Sequence, residues 1–155
     1  MRYVRRVLQP GETIVYSTKL HWIIYWRAIL LLIVCVMLAG GAWYMADNKN
    51  LSLALGIAAV IFALLGLSSA LRTFIRRWTT ELAVTDRRVI YKEGLIARRT
   101  LEMNRSRVES VDVYQTILGR ILGYGTITLR GTGGSLEPMR TIDDPLTFRS
   151  HIIAG

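Results

Sequence analysis

Few side chains in this sequence are of the types that catalyse reactions or hold metal ions. The 155 residues include two histidines, His21 and His151, and one cysteine, Cys35. Neither histidine has a serine, cysteine or aspartate neighbour at an informative spacing, and two distant imidazoles do not make a metal site. Cys35 lies inside a long apolar run, where a thiol is inert. We therefore expect no catalytic residue, no metal and no cofactor, and a protein that is not an enzyme.

A glycine-rich stretch, 119–125, is the next candidate because it invites comparison with a phosphate-binding loop. No Gly-Lys-Ser/Thr sequence follows it and no strand-loop-helix context surrounds it, so a nucleotide site is not expected. The acidic pair Asp143-Asp144 is better explained by structure than by chemistry. Asp144 suits a helix N-cap, and Pro145 suits the first position of the helix.

The basic residues are the main candidates for binding. Lysine and arginine number 20 against 11 acidic residues, which gives a net charge of +9. Such residues attract anionic headgroups when they stand beside a membrane. Their dispersed arrangement carries no recognised nucleic-acid motif, so nucleic acid is not an expected partner. The candidate lipid- or anion-binding residues are Arg72, Arg76, Arg77, Arg87, Arg88 and Lys92. For the first three of these, a role in membrane topology alone is the alternative.

Two charge-free apolar stretches, 28–46 and 51–71, dominate the middle of the chain. At about 1.5 Å per residue, each reaches roughly 30 Å, the thickness of a bilayer's hydrocarbon core. Neither shows the polar face that a core helix of a soluble protein would have, and the first is too long for a signal peptide. The connector 47–50 has turn chemistry, so we predict an antiparallel transmembrane hairpin.

Basic residues flank only one side of this hairpin. Arg27 and Arg72 stand beside the two spans on that side, whereas Lys49 alone stands in the connector. Because basic residues favour the cytoplasmic side, both termini are expected in the cytoplasm. The predicted division is a cytoplasmic N-terminal segment 1–27, the hairpin 28–71 and a cytoplasmic domain 72–155.

The last part of the chain has the two-residue period of β-strands. Val108 is out of phase with Val111 and Val113, which predicts a bulge or a twist, and Pro138 favours an edge strand. A helix is predicted from Pro145. The predicted strands are 79–85, 89–93, 95–103, 107–115, 126–130 and 136–142, with a turn at 131–134. This order predicts a small mainly-β barrel or sandwich covered by a C-terminal helix.

Several of these strings resemble bacterial pleckstrin-homology-like (PH-like) membrane proteins. They are 8–12 (LQPGE), 81–91 (ELAVTDRRVIY), 107–115 (RVESVDVYQ), 118–125 (LGRILGYG), 131–134 (GTGG) and 144–149 (DPLTFR). The resemblance implies two transmembrane helices in the bacterial inner membrane, followed by a seven-stranded barrel-like fold capped by a helix. It also implies a binding module without catalytic residues. Since eukaryotic PH domains bind inositol phosphates near the first hairpin, it suggests an anion site at Arg87 and Arg88.

An apolar loop between two predicted strands is the candidate protein contact. Ile117, Leu118, Ile121 and Leu122 surround Arg120 there. The four apolar side chains are either part of the core or an exposed patch that marks a partner surface. If exposed, they require cover from the bilayer surface or from another chain. Our leading hypothesis is a non-enzymatic scaffold that binds a protein partner or itself, with a second copy of the chain as the favoured neighbour of the loop. The alternative is recognition of anionic lipid by the basic face.

Overall fold

The computed structural model forms two compact units. It describes residues 2–95, 97, 99–132 and 136–154. The helical unit is Trp22–Ile75, and the β-rich unit joins Met1–His21 to Arg76–Gly155. This grouping differs from the sequence-based division at residues 27 and 72, because the N-terminal segment folds with the C-terminal domain. The predicted turn at Gly133-Gly134 lies outside the described residues.

The helical unit contains the two apolar helices. A 3₁₀ turn, Trp22–Tyr25, leads into helix α2, Trp26–Tyr44, and helix α3 extends over Lys49–Thr79. Within the described residues, two helices are long and apolar enough to cross a membrane, and they are these two. A Cβ atom on Gly66 would lie 3.1 Å from the side chain of Leu32, so the two helices pack closely at this glycine. The apolar segments that we predicted are therefore helical.

The first sheet of the β-rich unit is antiparallel, with the order β1-β2-β3-β4. Its strands are β1 (Ile14–Thr18), β2 (Glu81–Thr85), β3 (Arg88–Glu93) and β4 (Arg99–Asn104). The first strand comes from the N-terminal segment and pairs with β2, so that Thr18 lies opposite Leu82. In the sequence, the helical hairpin is therefore inserted between two strands that pair with each other in one sheet.

The second sheet is also antiparallel, with the order β5-β6-β7. Its strands are β5 (Val108–Tyr114), β6 (Tyr124–Gly131) and β7 (Leu136–Asp143). The register between β5 and β6 shifts between Val108 and Ser110, where the sequence predicted a bulge or a twist. Pro138 lies on β7, an edge strand of this sheet, where a missing N–H group is tolerated.

The core lies between the two sheets and is closed by helix α5, Pro145–Ile153. Leu82 and Ile127 are fully buried on the two inner faces, and Phe148 of α5 is fully buried against them. The carboxylate of Asp144 accepts a hydrogen bond from Thr147 N at 3.3 Å, so the predicted N-cap is confirmed. The outer face of the first sheet is covered by helix α1, Arg2–Val7, whose Val4 is fully buried.

Candidate functional site

The β-rich unit has two distinguishable ends. The chain leaves this unit after His21 and returns at Arg76. Arg77 Nε donates a hydrogen bond to the carbonyl of Leu20 at 3.1 Å, so the two connections lie side by side. We call this the exit end. Strand β2 begins there at Glu81, and four steps of about 3.3 Å place its other end roughly 13 Å away. The turn after β2 therefore marks the opposite, far end.

The second sheet reaches the exit end through the start of β6 and the end of β7. The carbonyl of Lys19 accepts a hydrogen bond from Asp143 N at 3.0 Å, and Thr18 Oγ1 donates to the carbonyl of Asp143 at 2.8 Å. The buried ring of His21 stacks on Tyr124, with 5.3 Å between the centroids. Because Tyr124 is the first residue of β6, the segment directly before β6 also belongs to the exit end.

That segment is helix α4, Ile117–Leu122, where the sequence indicated a loop. Thr116 Oγ1 accepts a hydrogen bond from Gly119 N at 3.0 Å and caps the start of the helix. Gly123, in the left-handed conformation with φ 76°, ends it. The loop prediction was wrong because only six residues, one of them glycine, separate the two caps, which is too short a segment for a periodic helical signal.

Helix α4 turns its apolar side chains outward. The exposed fractions are 81% for Ile117, 63% for Leu118, 74% for Ile121 and 38% for Leu122. The inward position is held by Gly119, where a Cβ atom would lie 2.7 Å from the carbonyl oxygen of Tyr124. At about 100° per residue, the four apolar residues share one side of the helix. They are therefore an exposed patch and not part of the core.

Arg88, a candidate anion ligand, is held by acidic side chains. Its Nε and Nη2 donate to the two carboxylate oxygens of Glu12 at 2.9 and 2.8 Å, and its Nη1 donates to Glu102 at 2.6 Å. The Glu12 side chain is fully buried and also accepts a hydrogen bond from Thr85 Oγ1. The hydrogen bonds from Arg88 lower the pKa of Glu12 to about 2 against the opposing effect of burial. Arg88 thus fastens the N-terminal segment to the first sheet.

Two other candidates lie at the exit end, where β3 finishes beside the start of β2. Arg76 Nε donates to Glu93 Oε1 at 2.8 Å, and the other oxygen of Glu93 accepts a hydrogen bond from Tyr91. Lys92 lies opposite Glu81, and its Nζ is 5.0 Å from the centre of the Tyr3 ring. These basic groups are placed beside the two chain connections.

Arg77, which holds the Leu20 carbonyl, is a third candidate at the exit end. Arg72 is an exposed residue of α3 in the helical unit. Arg87 is exposed in the turn at the far end, where Arg88 is also found. The structure therefore does not gather the six basic residues into one site. Their binding role stays a prediction.

A groove of about 870 Å³ opens at the far end. Arg87 and Asn104 line it together with the acidic residues Asp86 and Glu109. Arg105, also in its lining, donates to the carbonyls of His151 and Ile152 at 2.7 and 2.9 Å and so holds the last turn of α5. Sequence analysis missed this groove because tertiary contacts bring together residues from four separate segments.

The described residues contain no group of three or more His, Cys, Asp and Glu side chains that could hold a metal ion. His151 stacks on Tyr16 at 4.5 Å, and its Nδ1 lies 2.8 Å from the carbonyl of Thr147. His21 stacks on Tyr124, and Cys35 lies in α2. His21, Cys35 and His151 are thus far apart in the sequence and lie in different parts of the structure.

These features define a mainly-β domain of two antiparallel sheets and a C-terminal helix, interrupted in sequence by two apolar helices. A family model described as a bacterial PH domain matches residues 23–155, and the chain belongs to this family. The resemblance noted in the sequence is therefore confirmed. The comparisons with curated proteins and with solved structures found no match. Strand β1 lies before the matched residues, although it pairs within the first sheet.

Proposed function

We propose that the protein is a non-enzymatic integral membrane protein whose helices α2 and α3 span the bacterial inner membrane. The PH-like β-rich unit is held on the cytoplasmic side, where it serves as a scaffold for a protein partner. The observation that carries this proposal is the insertion of the helical hairpin between the paired strands β1 and β2. Both termini are cytoplasmic in this proposal, as the distribution of basic residues favours.

Two adjacent tethers restrict a domain more than one does. A domain on a single linker can rotate freely, whereas this unit is joined to the hairpin after His21 and again before Arg76. The hydrogen bond from Arg77 to Leu20 keeps these connections together. In the proposed arrangement the exit end faces the bilayer and the far end faces the cytoplasm. Two connections at one end of the unit suit a scaffold.

The far-end groove is the surface that we propose for the protein partner. It is large enough for several side chains, and its lining carries charges of both signs. The carboxylates of Asp86 and Glu109 line the groove together with three arginines, and this mixture suits a polypeptide with charges of both signs. The partner is a second copy of the chain or another membrane protein.

Light scattering of the full chain in mild detergent tests this proposal. The Ser106→Trp variant places a bulky side chain in the groove, and Ser150→Trp, at an exposed position of α5 outside the groove lining, is the matched control. We expect a discrete oligomer, or a stoichiometric complex with a co-purified membrane protein, that Ser106→Trp abolishes and Ser150→Trp preserves. A monomer that retains no partner, or a complex that both variants preserve, would contradict the proposal.

Recognition of anionic lipid is a second candidate, favoured by the basic residues at the exit end. Arg76 and Lys92 lie beside the chain connections, where headgroups would be within reach. Arg87 and Arg88 lie at the far end and are poorly placed for this role. The full chain in nanodiscs should melt at a higher temperature with phosphatidylglycerol than with phosphatidylcholine, and Lys92→Ala should reduce the difference. The same melting temperature in both lipids would leave no role for lipid charge.

A further inference from the structure

We propose that helix α4 is an interfacial helix whose side chains Ile117, Leu118, Ile121 and Leu122 insert into the leaflet that faces the β-rich unit. The inference rests on the proposed membrane anchoring and adds a third contact between the chain and the bilayer. The occupant of the apolar patch is thus the lipid surface, and the other possible occupant, a second copy of the chain, becomes an outcome of the test.

The first argument is the direction in which α4 faces. Its apolar side is its outward side, and Gly119 on the inward side leaves the helix close against β6. Gln115 Nε2 donates to the carbonyl of Tyr124 at 3.1 Å across this contact. The helix is therefore preformed and fixed, so insertion requires no rearrangement of the backbone.

The second argument is the position of α4. Tyr124, whose ring stacks on His21, follows Leu122 by two residues, so their Cα atoms are at most about 7.6 Å apart. His21 is the last residue before the chain enters the helical unit. If the chain enters the membrane directly after His21, the apolar patch lies at the depth of the headgroups.

The third argument is charge. Arg120 is the only charged residue in the sequence of α4, and helical geometry places it at the flank of the apolar side. An arginine there can extend its guanidinium to phosphate groups while its neighbours enter the acyl region. Lys19, exposed at the exit end, adds a second positive charge close to the same level. The exposed carboxylates of Asp143 and Asp144 lie at the same end, so the attraction to an anionic leaflet depends on the guanidinium of Arg120 beside the apolar side chains and not on a net positive charge.

The fourth argument is area. Four fully exposed aliphatic side chains would offer roughly 240–480 Å² of apolar surface, taking about 1.5–3 kcal/mol per side chain and 25 cal/mol per Å². The side chains of the patch are 38–81% exposed, so they offer less than this. A stable interface between two proteins buries about 800 Å² on each partner. The patch is too small to hold a second copy by itself. It is sufficient for a shallow insertion of about 5–10 Å.

Depth-dependent fluorescence quenching of the full chain tests the inference. In a Cys35→Ser background, Ile121→Cys is labelled with an environment-sensitive fluorophore and reconstituted in vesicles of phosphatidylcholine and phosphatidylglycerol. Ile153→Cys, at a position 61% exposed at the end of α5 and in the lining of the far-end groove, is the matched control. We expect lipids that carry a spin label near the headgroup to quench the probe at 121 several-fold more than the probe at 153. We also expect the emission at 121 to shift to the blue.

Two results would overturn the inference, and a third would overturn its charge argument alone. Equal, weak quenching at both positions would show that α4 stays in water. Efficient disulfide formation between unlabelled Ile121→Cys chains, without quenching, would assign the patch to a second copy. Quenching at 121 that Arg120→Glu leaves unchanged in anionic vesicles would remove the role of Arg120.

A third probe separates this inference from the proposed membrane anchoring. Val36 is 70% exposed near the middle of α2. A label on Val36→Cys should be quenched by lipids that carry the spin label near the centre of the bilayer. Quenching at Val36 without quenching at Ile121 would reject the interfacial helix alone. Absence of quenching at both positions would reject the anchoring as well.

Discussion

The exit end and the far end of the β-rich unit differ in the side chains they leave exposed. At the exit end, α4 turns four aliphatic residues outward beside Tyr124, which stacks on His21. At the far end, a groove of about 870 Å³ is lined by Arg87, Asp86 and Glu109 together with a single exposed aliphatic side chain of α5, Ile153. Exposed apolar surface is costly in water. Its position at the end where the chain continues into apolar helices supports the proposed insertion of α4 into the membrane.

This comparison also separates basic residues that look equivalent in the sequence. Arg76 and Lys92 are at the exit end, whereas Arg87 and Arg88 are at the far end. Arg88 is further distinguished by its bidentate contact with the buried carboxylate of Glu12. The number of arginines on a strand hairpin is therefore a poor guide to an anion site, because some of them stabilise the fold.

The largest loss of stability is expected when the Glu12–Arg88 pair, which fastens the N-terminal segment to the first sheet, is broken. Arg88→Met leaves a buried carboxylate without its partner, and we expect the free energy of unfolding to fall by about 3–5 kcal/mol. Chemical unfolding of the full chain in detergent, followed by near-ultraviolet circular dichroism, measures the loss. The double variant Glu12→Gln with Arg88→Met should recover part of the stability. A loss below about 1 kcal/mol, typical of exposed pairs, would show that the pair behaves as a surface contact.

The same pair predicts a dependence of stability on pH. The folded-state pKa of Glu12, about 2, is below the ordinary value of 4.5. The stabilisation is therefore fully present above about pH 5 and is lost as the pH falls toward 2, by up to about 3 kcal/mol. Unfolding curves at several pH values should show this loss in the wild type, and a smaller loss in Glu12→Gln. Parallel pH profiles for the two proteins would be inconsistent with the lowered pKa.

A smaller loss of stability is expected from substitution of Gly119, which allows α4 to pack closely against β6 at the exit end. Gly119→Ala places a Cβ atom 2.7 Å from the carbonyl oxygen of Tyr124, which belongs to the backbone and cannot move freely. Such overpacking costs about 1–3 kcal/mol. Gly56→Ala is the control, because no heavy atom lies within 4 Å of the added Cβ. Equal melting temperatures for Gly119→Ala and the wild type would show that α4 is loosely attached.

The features that were predicted correctly depend on local patterns. Asp144 followed by Pro145 specifies a helix start within three residues, and the phase change at Val108 lies inside a single strand. The two apolar helices follow from composition and length alone. Each of these signals is complete within a short window of the sequence, so no knowledge of distant residues was needed.

The features that were missed depend on distant partners or on short segments. Arg88 and Glu12 are 76 residues apart in sequence, and no local sequence pattern near either residue predicts that they pair. Strand β1 has five residues, and its partner β2 follows the whole helical hairpin. A fragment that begins at Arg72 would lack both β1 and Glu12, so binding experiments require the full chain. The two ends of the unit likewise emerge only from tertiary contacts.

The smallest change in the free energy of unfolding is expected for substitutions on the outward side of α4. These substitutions also test the contrast between the two ends most directly. Ile117 and Ile121 are 81% and 74% exposed, so their replacement by aspartate removes little packing. The free energy of unfolding of the double variant Ile117→Asp with Ile121→Asp should be within about 0.5 kcal/mol of the wild-type value.

Two carboxylates are, however, repelled by an anionic leaflet and are costly to move out of water. Protease protection of α4 in anionic vesicles should therefore disappear in this variant, while the Ser106→Trp variant, altered at the far end, keeps it. Loss of cooperative unfolding in the aspartate variant would instead mean that these side chains belong to the core, and the distinction between the two ends would fail.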